Sequence, residues 1–276
     1  MLPKTIKNMG RQSRRNLLPK NSILKSRRVR SWATERDKKY KEQMEEHLGR
    51  LAQGVPLSYI LNNFAKYVKR QELGRLLARH QLFQKIADIQ GCIVEGGVYA
   101  GQGLMTWAQL SAILEPVGGV FRHIYGFDTF AGFPGVHKKD LQGSFDLDWR
   151  RGDVKDESFE ELNRCIELYD MNRFLDQIPR VTLVKGDFMK TAPKFLKDNP
   201  HVLVSMLYLD FDIYEPTKLA LELFLPRMPK GSILAFDEIN HPFWPGETLA
   251  LLEMMDLRSI RIQKFPYEVN MSYIVL

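Results

Sequence analysis

Gly91-Cys92-Ile93-Val94-Glu95-Gly96-Gly97-Val98-Tyr99-Ala100-Gly101-Gln102-Gly103 is the stretch that decides the fold. Cys92 to Val98 is an apolar run of the length of a buried strand, and Leu104 to Leu114 after it reads as a helix. Glycines between the two let the backbone turn tightly and approach a ligand closely, and the helix start offers free N–H donors. The spacing departs from G-x-G-x-x-G, which weakens the case for a nicotinamide dehydrogenase.

The same alternation continues outward. His123 to Phe127 is a second strand, followed by a loop rich in Gly, Asp and Trp through about Asp153. Ser158 to Tyr169 reads as a helix, with Ser158 as N-cap and Glu161 completing a capping box. Val181 to Lys185 and Val202 to Leu209 are the third and fourth strands. Pro216 to Leu225 is a helix with proline near its start, and Ser232 to Phe236 is the fifth strand. Arg261 to Phe265 and Met271 to Val275 fit a terminal antiparallel pair. Strand–helix alternation of this kind predicts an α/β, Rossmann-like, mostly parallel doubly wound sheet. Ligands then bind at the carboxyl ends of the strands. Upstream, Tyr59, Ile60, Phe64 and Val68 recur as one helix face, and Leu73, Leu76, Leu77, Leu82, Phe83 and Ile86 continue the pattern. The chain thus divides into a basic tail (1–34), a helical extension of two or three helices (35–90) and the α/β domain (91–276).

With 44% hydrophobic residues the 276-residue chain can build a sizeable core. Its apolar runs fall short of the ~18 residues of a membrane span. Cys92 and Cys165, far apart and without metal-ligand spacing, argue against a disulfide-built secreted fold and for a cytoplasmic setting. The net charge of +7 comes from one place. Residues 1–34 carry ten Lys or Arg and no acid, which leaves 30 of the 40 basic residues against 33 acidic ones. This tail reads as a solvated leader, as a patch for an acidic surface such as nucleic acid, or least well as a transit peptide.

The strand ends carry the chemistry. Glu95, Gly96, Gly97, Tyr99 and Gly101 form the turn after the first strand. Asp128, followed by Thr129, ends the second, 27 residues beyond Gly101, where a carboxylate either meets the ribose hydroxyls of an adenosine or caps the next segment. Asp187 after the third strand is an adenine contact or a turn residue. The fourth strand ends Tyr208-Leu209-Asp210-Phe211-Asp212-Ile213-Tyr214 and the fifth ends Ala235-Phe236-Asp237-Glu238. Four carboxylates at one sheet edge repel one another unless a cation or shared protons relieve them. Hard oxygen ligands suit Mg²⁺ or Ca²⁺. His241 is a second base, a substrate contact or a plain turn residue. Trp244 and Phe243 stack on a substrate or pack in the core. Trp149 belongs to the long loop after Asp128, which has the length of a lid.

At Val94-Glu95-Gly96-Gly97-Val98 with Gly101, at Gly126-Phe127-Asp128-Thr129-Phe130-Ala131-Gly132-Phe133-Pro134, and at Asp210-Phe211-Asp212-Ile213-Tyr214 with Thr217, the chain resembles the macrocin O-methyltransferase family, which modifies sugars of macrolide and related natural products. The resemblance runs from about Cys92 to Val275 and leaves the basic tail outside. It implies a class I methyltransferase fold, S-adenosylmethionine as methyl donor and Mg²⁺ in the active site. Asp210, Asp237 and Glu238 would ligate the metal, and Asp212 would be the general base. Asp128 would hold the ribose, and the turn from Glu95 to Gly101 the methionine part. Where relatives commonly show two aspartates, this chain has Asp237-Glu238. The expected function is methylation of a hydroxyl on a small acceptor, a sugar or nucleotide-linked sugar, by a homo-oligomer. The alternatives are a nucleic-acid methyltransferase recruited by the tail and a non-catalytic S-adenosylmethionine-binding protein. The first predicts strongly salt-dependent binding.

Overall fold

Strands β1 (Cys92–Gly96), β2 (Ile124–Asp128), β3 (Val181–Lys185), β4 (Val204–Leu209) and β5 (Ile233–Phe236) form where the apolar runs predict them. The structure is a computed structural model that describes residues 34–142 and 147–276, so the basic tail up to residue 33 lies outside the described residues. Among these residues the sheet has seven strands in the order β3-β2-β1-β4-β5-β7-β6. The first five are parallel. β7 (Ser272–Val275) pairs antiparallel with β5 and with β6 (Gln263–Lys264), which is the expected terminal pair, shortened. The order reverses between β1 and β4, and a crevice opens at such a switch point.

Period-two alternation divides the strands between two cores. Ile93, Met206, Tyr208, Ile233 and Ala235 face one side, against Leu82, Phe83 and Ile86 of α3 (Arg70–Ile86), Leu104 and Trp107 of α4 (Gln102–Leu114), and Leu162 of α5 (Phe159–Met171). Val94, Leu207, Leu209, Leu234 and Phe236 face the other. There they meet α6 (Phe188–Asp198), α7 (Tyr214–Phe224) and α8 (Pro245–Met254). Every residue of β1, β4 and β5 is buried, as expected of central strands covered on both faces.

Three local expectations are corrected. Tyr59 to Val68 is not one helix face: α2 (Leu57–Asn62) stops at Asn63, whose side-chain amide donates to the Tyr59 carbonyl (2.8 Å), and a 3-10 turn follows over Phe64–Lys66. Tyr59 and Phe64 are exposed. On α3, Leu76 and Leu77 also face outward, while Arg79 is buried. Ser158 does precede α5, but no capping box forms; its hydroxyl donates to the Tyr99 carbonyl (3.1 Å) instead. Ahead of these, α1 (Glu35–Gly54) starts at a true capping box between Thr34 and Asp37 and buries none of its residues.

Candidate active site

Carboxyl ends of β1 and β2 make the first wall of the site. Gly97 sits at φ +85°, and a Cβ there would collide with the Asp210 carbonyl, so the turn after β1 lies directly on the turn after β4. Gly101, also at +85°, is the N-cap of α4. Asp128 ties the turn after β1 to the turn after β2. Its Oδ2 accepts the N–H groups of Val98 and Tyr99 (2.8 Å each), and its Oδ1 accepts that of Phe130 (2.7 Å). Tyr99 and Phe130, at φ +51° and +52°, occupy the left-handed region that side-chain-bearing residues avoid. Three N–H bonds to one carboxylate hold that geometry. The Thr129 hydroxyl donates to the Gly132 carbonyl (2.7 Å).

Gly97, Tyr99, Asp128 and Thr129 line an open cleft together with Phe127, Gly132, Phe133, Pro134, Val154, Gly186 and Phe188. Glu95, Gly96, Gly101 and Asp187 are not on this wall. Glu95 points into the core, where the Trp107 indole donates to it (2.6 Å). Burial pushes its carboxyl up to about 7 despite the charge of Arg79. Gly96 lies under the Phe211 ring, which a Cβ would overlap. Asp187 caps α6, accepting the Met189 N–H (3.1 Å).

The second wall comes from β4 and β5. Asp210, Phe211, Asp212, Ile213, Pro216 and Asp237 line the cleft, and so does Arg75, which reaches over from α3. Arg75 donates through Nη2 to Asp237 Oδ1, which also accepts the Tyr208 hydroxyl (2.7 Å). Burial, reinforced by the charges of Asp237 and Asp212, holds the Asp210 carboxyl far above the usual carboxylate range. Burial and then Asp237 push Asp212 up to about 8. Glu238 is pushed up to about 11 by burial and by Asp237. Arg75 is the one cation among the described residues of this wall.

Glu238 and His241 do not line the cleft. Asn270 Nδ2 donates to Glu238 Oε1 (3.5 Å), and His241 Nδ1 lies 3.4 Å from Glu238 Oε2. Burial lowers the His241 pKa, and its Nδ1 accepts the Phe243 N–H (3.4 Å). Glu238 Oε2 is buried with no hydrogen-bond partner among the described residues. Among the described residues no three His, Cys, Asp or Glu side chains are drawn into a metal-holding group. The expected set of Asp210, Asp237 and Glu238 thus shares one sheet edge without closing on a common point.

The loop after β2 closes one end. Trp149 stacks on Trp244 (centroids 3.7 Å apart) and donates to the Phe243 carbonyl (2.9 Å), while Phe133 meets Trp244 edge-on. Phe243 is fully buried, so its role is packing. Sequence reasoning missed Arg75 and Glu247. A signal for Arg75 exists: Arg75 and Arg79 continue at helical spacing the buried stripe of Leu82, Phe83 and Ile86. Glu247, on the first turn of α8, carries none.

Fold and site define a class I methyltransferase. The family model described as Macrocin-O-methyltransferase (TylF) matches residues 5–258, and the chain belongs to that family. The match takes in most of the basic tail and the helices before β1, which the motifs alone left outside. In structure the chain is similar to the calicheamicin methyltransferase CalS11 (TM-score 0.82, 30% identity, 89% of this chain and 94% of that one). It is also similar to apo CalS11, a TDP-rhamnose 3'-O-methyltransferase of calicheamicin biosynthesis (0.75, 28%, 89% and 96%). The O-methyltransferase NovP shares the fold (0.57, 22%, 73% and 79%). No curated protein matches the chain. The protein is an S-adenosylmethionine-dependent O-methyltransferase. Among the described residues no helix is long and apolar enough to cross a membrane.

Proposed function

We propose that this enzyme methylates a hydroxyl of a sugar, free or nucleotide-linked, with Asp212 as proton acceptor and a divalent cation at the acid wall. The observation that carries the reading is the meeting, in one cleft, of Asp210, Asp212 and Asp237 with the turn held by Asp128. CalS11, which methylates TDP-rhamnose, supports the acceptor class. The donor set suits a hard cation. Among the described residues carboxylates outnumber cations at this wall, and Glu238 Oε2 is buried without a hydrogen-bond partner. Asp210 and Asp237, which line the cleft, would hold the ion once Glu238 turned in from beside it, and the ion would supply positive charge to the developing alkoxide. Gly97, Tyr99, Thr129 and Asp128 hold the donor, and orientation of the methyl group contributes much of the rate. As the acceptor oxygen attacks the methyl carbon, its proton passes to Asp212 and the C–S electrons return to sulfur. A base whose pKa of about 8 lies near the working pH suits that transfer. His241 stands outside the cleft, and burial, which lowers its pKa, makes it a poor acceptor for a proton held by Asp212.

Radiolabelled methyl transfer to a panel of nucleoside-diphosphate deoxysugars, beginning with TDP-rhamnose, tests this. A methylated sugar formed with Mg²⁺ and lost in EDTA is expected, and Asp212→Asn should lower kcat about 10³-fold with donor affinity retained. Wild-type turnover of Asp212→Asn would remove it as the base. A homo-oligomer is part of the same reading. α1 buries nothing, and Tyr40, Leu57, Tyr59, Leu61 and Phe64 leave an apolar surface at this end of the chain.

A further inference from the structure

Glu247 is fully buried, yet among the described residues no cation pairs with it, and it does not line the cleft. Burying a carboxylate is costly unless hydrogen bonds compensate it. Its two bonds go to backbone: Oε1 accepts the N–H of Asp212 (3.3 Å) and Oε2 that of Glu238 (3.1 Å). One side chain on α8 therefore grips the turn after β4 and the turn after β5, the two that carry the acids.

Asp212 needs that grip. Its φ is +63°, in the left-handed region that a residue with a Cβ enters only when its surroundings hold it there. α8 can reach the turn because Gly246 lies against it: a Cβ at Gly246 would come within 2.6 Å of the Tyr214 nitrogen. Beside Gly246, Asp140 Oδ1 accepts the Tyr214 N–H (2.7 Å). The turn is thus held at two of its N–H groups, Tyr214 by Asp140 and Asp212 by Glu247.

We propose that Glu247 is a positioning residue, which fixes Asp212 in its left-handed conformation and sets the turn after β5 against it. The proposal rests on the reading of Asp212 as the base. Amide hydrogen exchange of the full chain, wild type against Glu247→Gln, is the test. Glutamine keeps the shape and one acceptor oxygen but presents a donor where the second N–H arrives. Peptides spanning 210–214 and 237–239 should exchange at least tenfold faster while the rest of the sheet is unchanged. Turnover of the sugar accepted in the panel should fall 10- to 100-fold in kcat, with donor affinity within twofold. Glu247→Asp, one methylene too short to span both turns, should behave alike if the glutamine variant folds poorly. Unchanged exchange at 210–214, or exchange accelerated evenly throughout the sheet, would overturn the role. In the double variant with Asp212→Asn, kcat should fall no further than in Asp212→Asn alone, because both changes remove one function. A full multiplicative loss would assign Glu247 to general stability. If Asp212→Asn alone kept wild-type turnover, the base assignment would fall and the positioning role with it. A silent Glu247→Gln beside an inactive Asp212→Asn sinks only the positioning role.

Discussion

The ends of β1 and β2 and the ends of β4 and β5 use the same residue type in opposite circumstances. On the donor side one carboxylate, Asp128, receives three backbone N–H groups. On the acid side Asp210, Asp212, Asp237, Glu238 and Glu247 share, among the described residues, one arginine, one tyrosine hydroxyl, the Asn270 amide and a few N–H groups. A carboxylate surrounded by donors stabilises the loops it binds. Carboxylates crowded together in a buried setting are held at a cost and kept for chemistry. The first wall is scaffold as much as ligand site, whereas the second is reactive because it is under-compensated.

Removing one acid from each side should therefore have opposite effects on stability. Asp128→Ala leaves three N–H groups without their acceptor and releases Tyr99 and Phe130 from left-handed geometry. A loss of about 3 kcal/mol is expected by denaturant titration, with donor affinity down at least tenfold by calorimetry. Full stability with affinity lost would make Asp128 a ligand group only and break the comparison.

On the acid side, Asp212→Asn should stabilise the metal-free protein. Asp212 keeps its proton to about pH 8 in the folded state, against about 4 in an unfolded chain. Between those values the folded protein binds more protons, so the stability this group contributes is present below pH 4 and lost as pH rises towards 8. The asparagine variant cannot lose it. Thermal melts from pH 5 to 8 should fall more steeply for wild type, and the variant should gain about 2 kcal/mol at pH 8, a value discounted because the side chain is half-buried. Parallel slopes would mean that Asp212 is well compensated after all.

The sequence exposes this arrangement unevenly. β4 is legible because five apolar residues in six, interrupted only by Ser205 and all buried, leave no other role for the segment. The carboxylates follow from it, since a strand's end fixes where its next residues lie. Arg75 lies on a buried stripe of its helix, but its partner Asp237 is 162 residues away; Glu247 carries no signal, and its partners are 35 and 9 residues away. Tyr59 to Val68 shows the converse, because helical spacing records a face without recording that nothing described covers it. At Ser158 a distant carbonyl, Tyr99, outcompetes the local capping box.

Asp187 gives the smallest and sharpest test of the donor wall. It follows β3 as Asp128 follows β2, and position alone gives the two equal standing as donor contacts. Gly186 before it lines the cleft, but Asp187 turns away to accept the Met189 N–H at the start of α6. A cap of this kind contributes about 1 kcal/mol, and the negative charge at a helix N-terminus adds a few tenths more. Asp187→Ala should therefore lower stability by about 1 kcal/mol, with S-adenosylmethionine affinity within twofold of wild type. Asp187→Asn, which keeps a capping oxygen, should recover most of the loss. A tenfold drop in donor affinity in both variants, with stability unchanged, would return Asp187 to the adenine site and show that the side chain swings round when the donor binds.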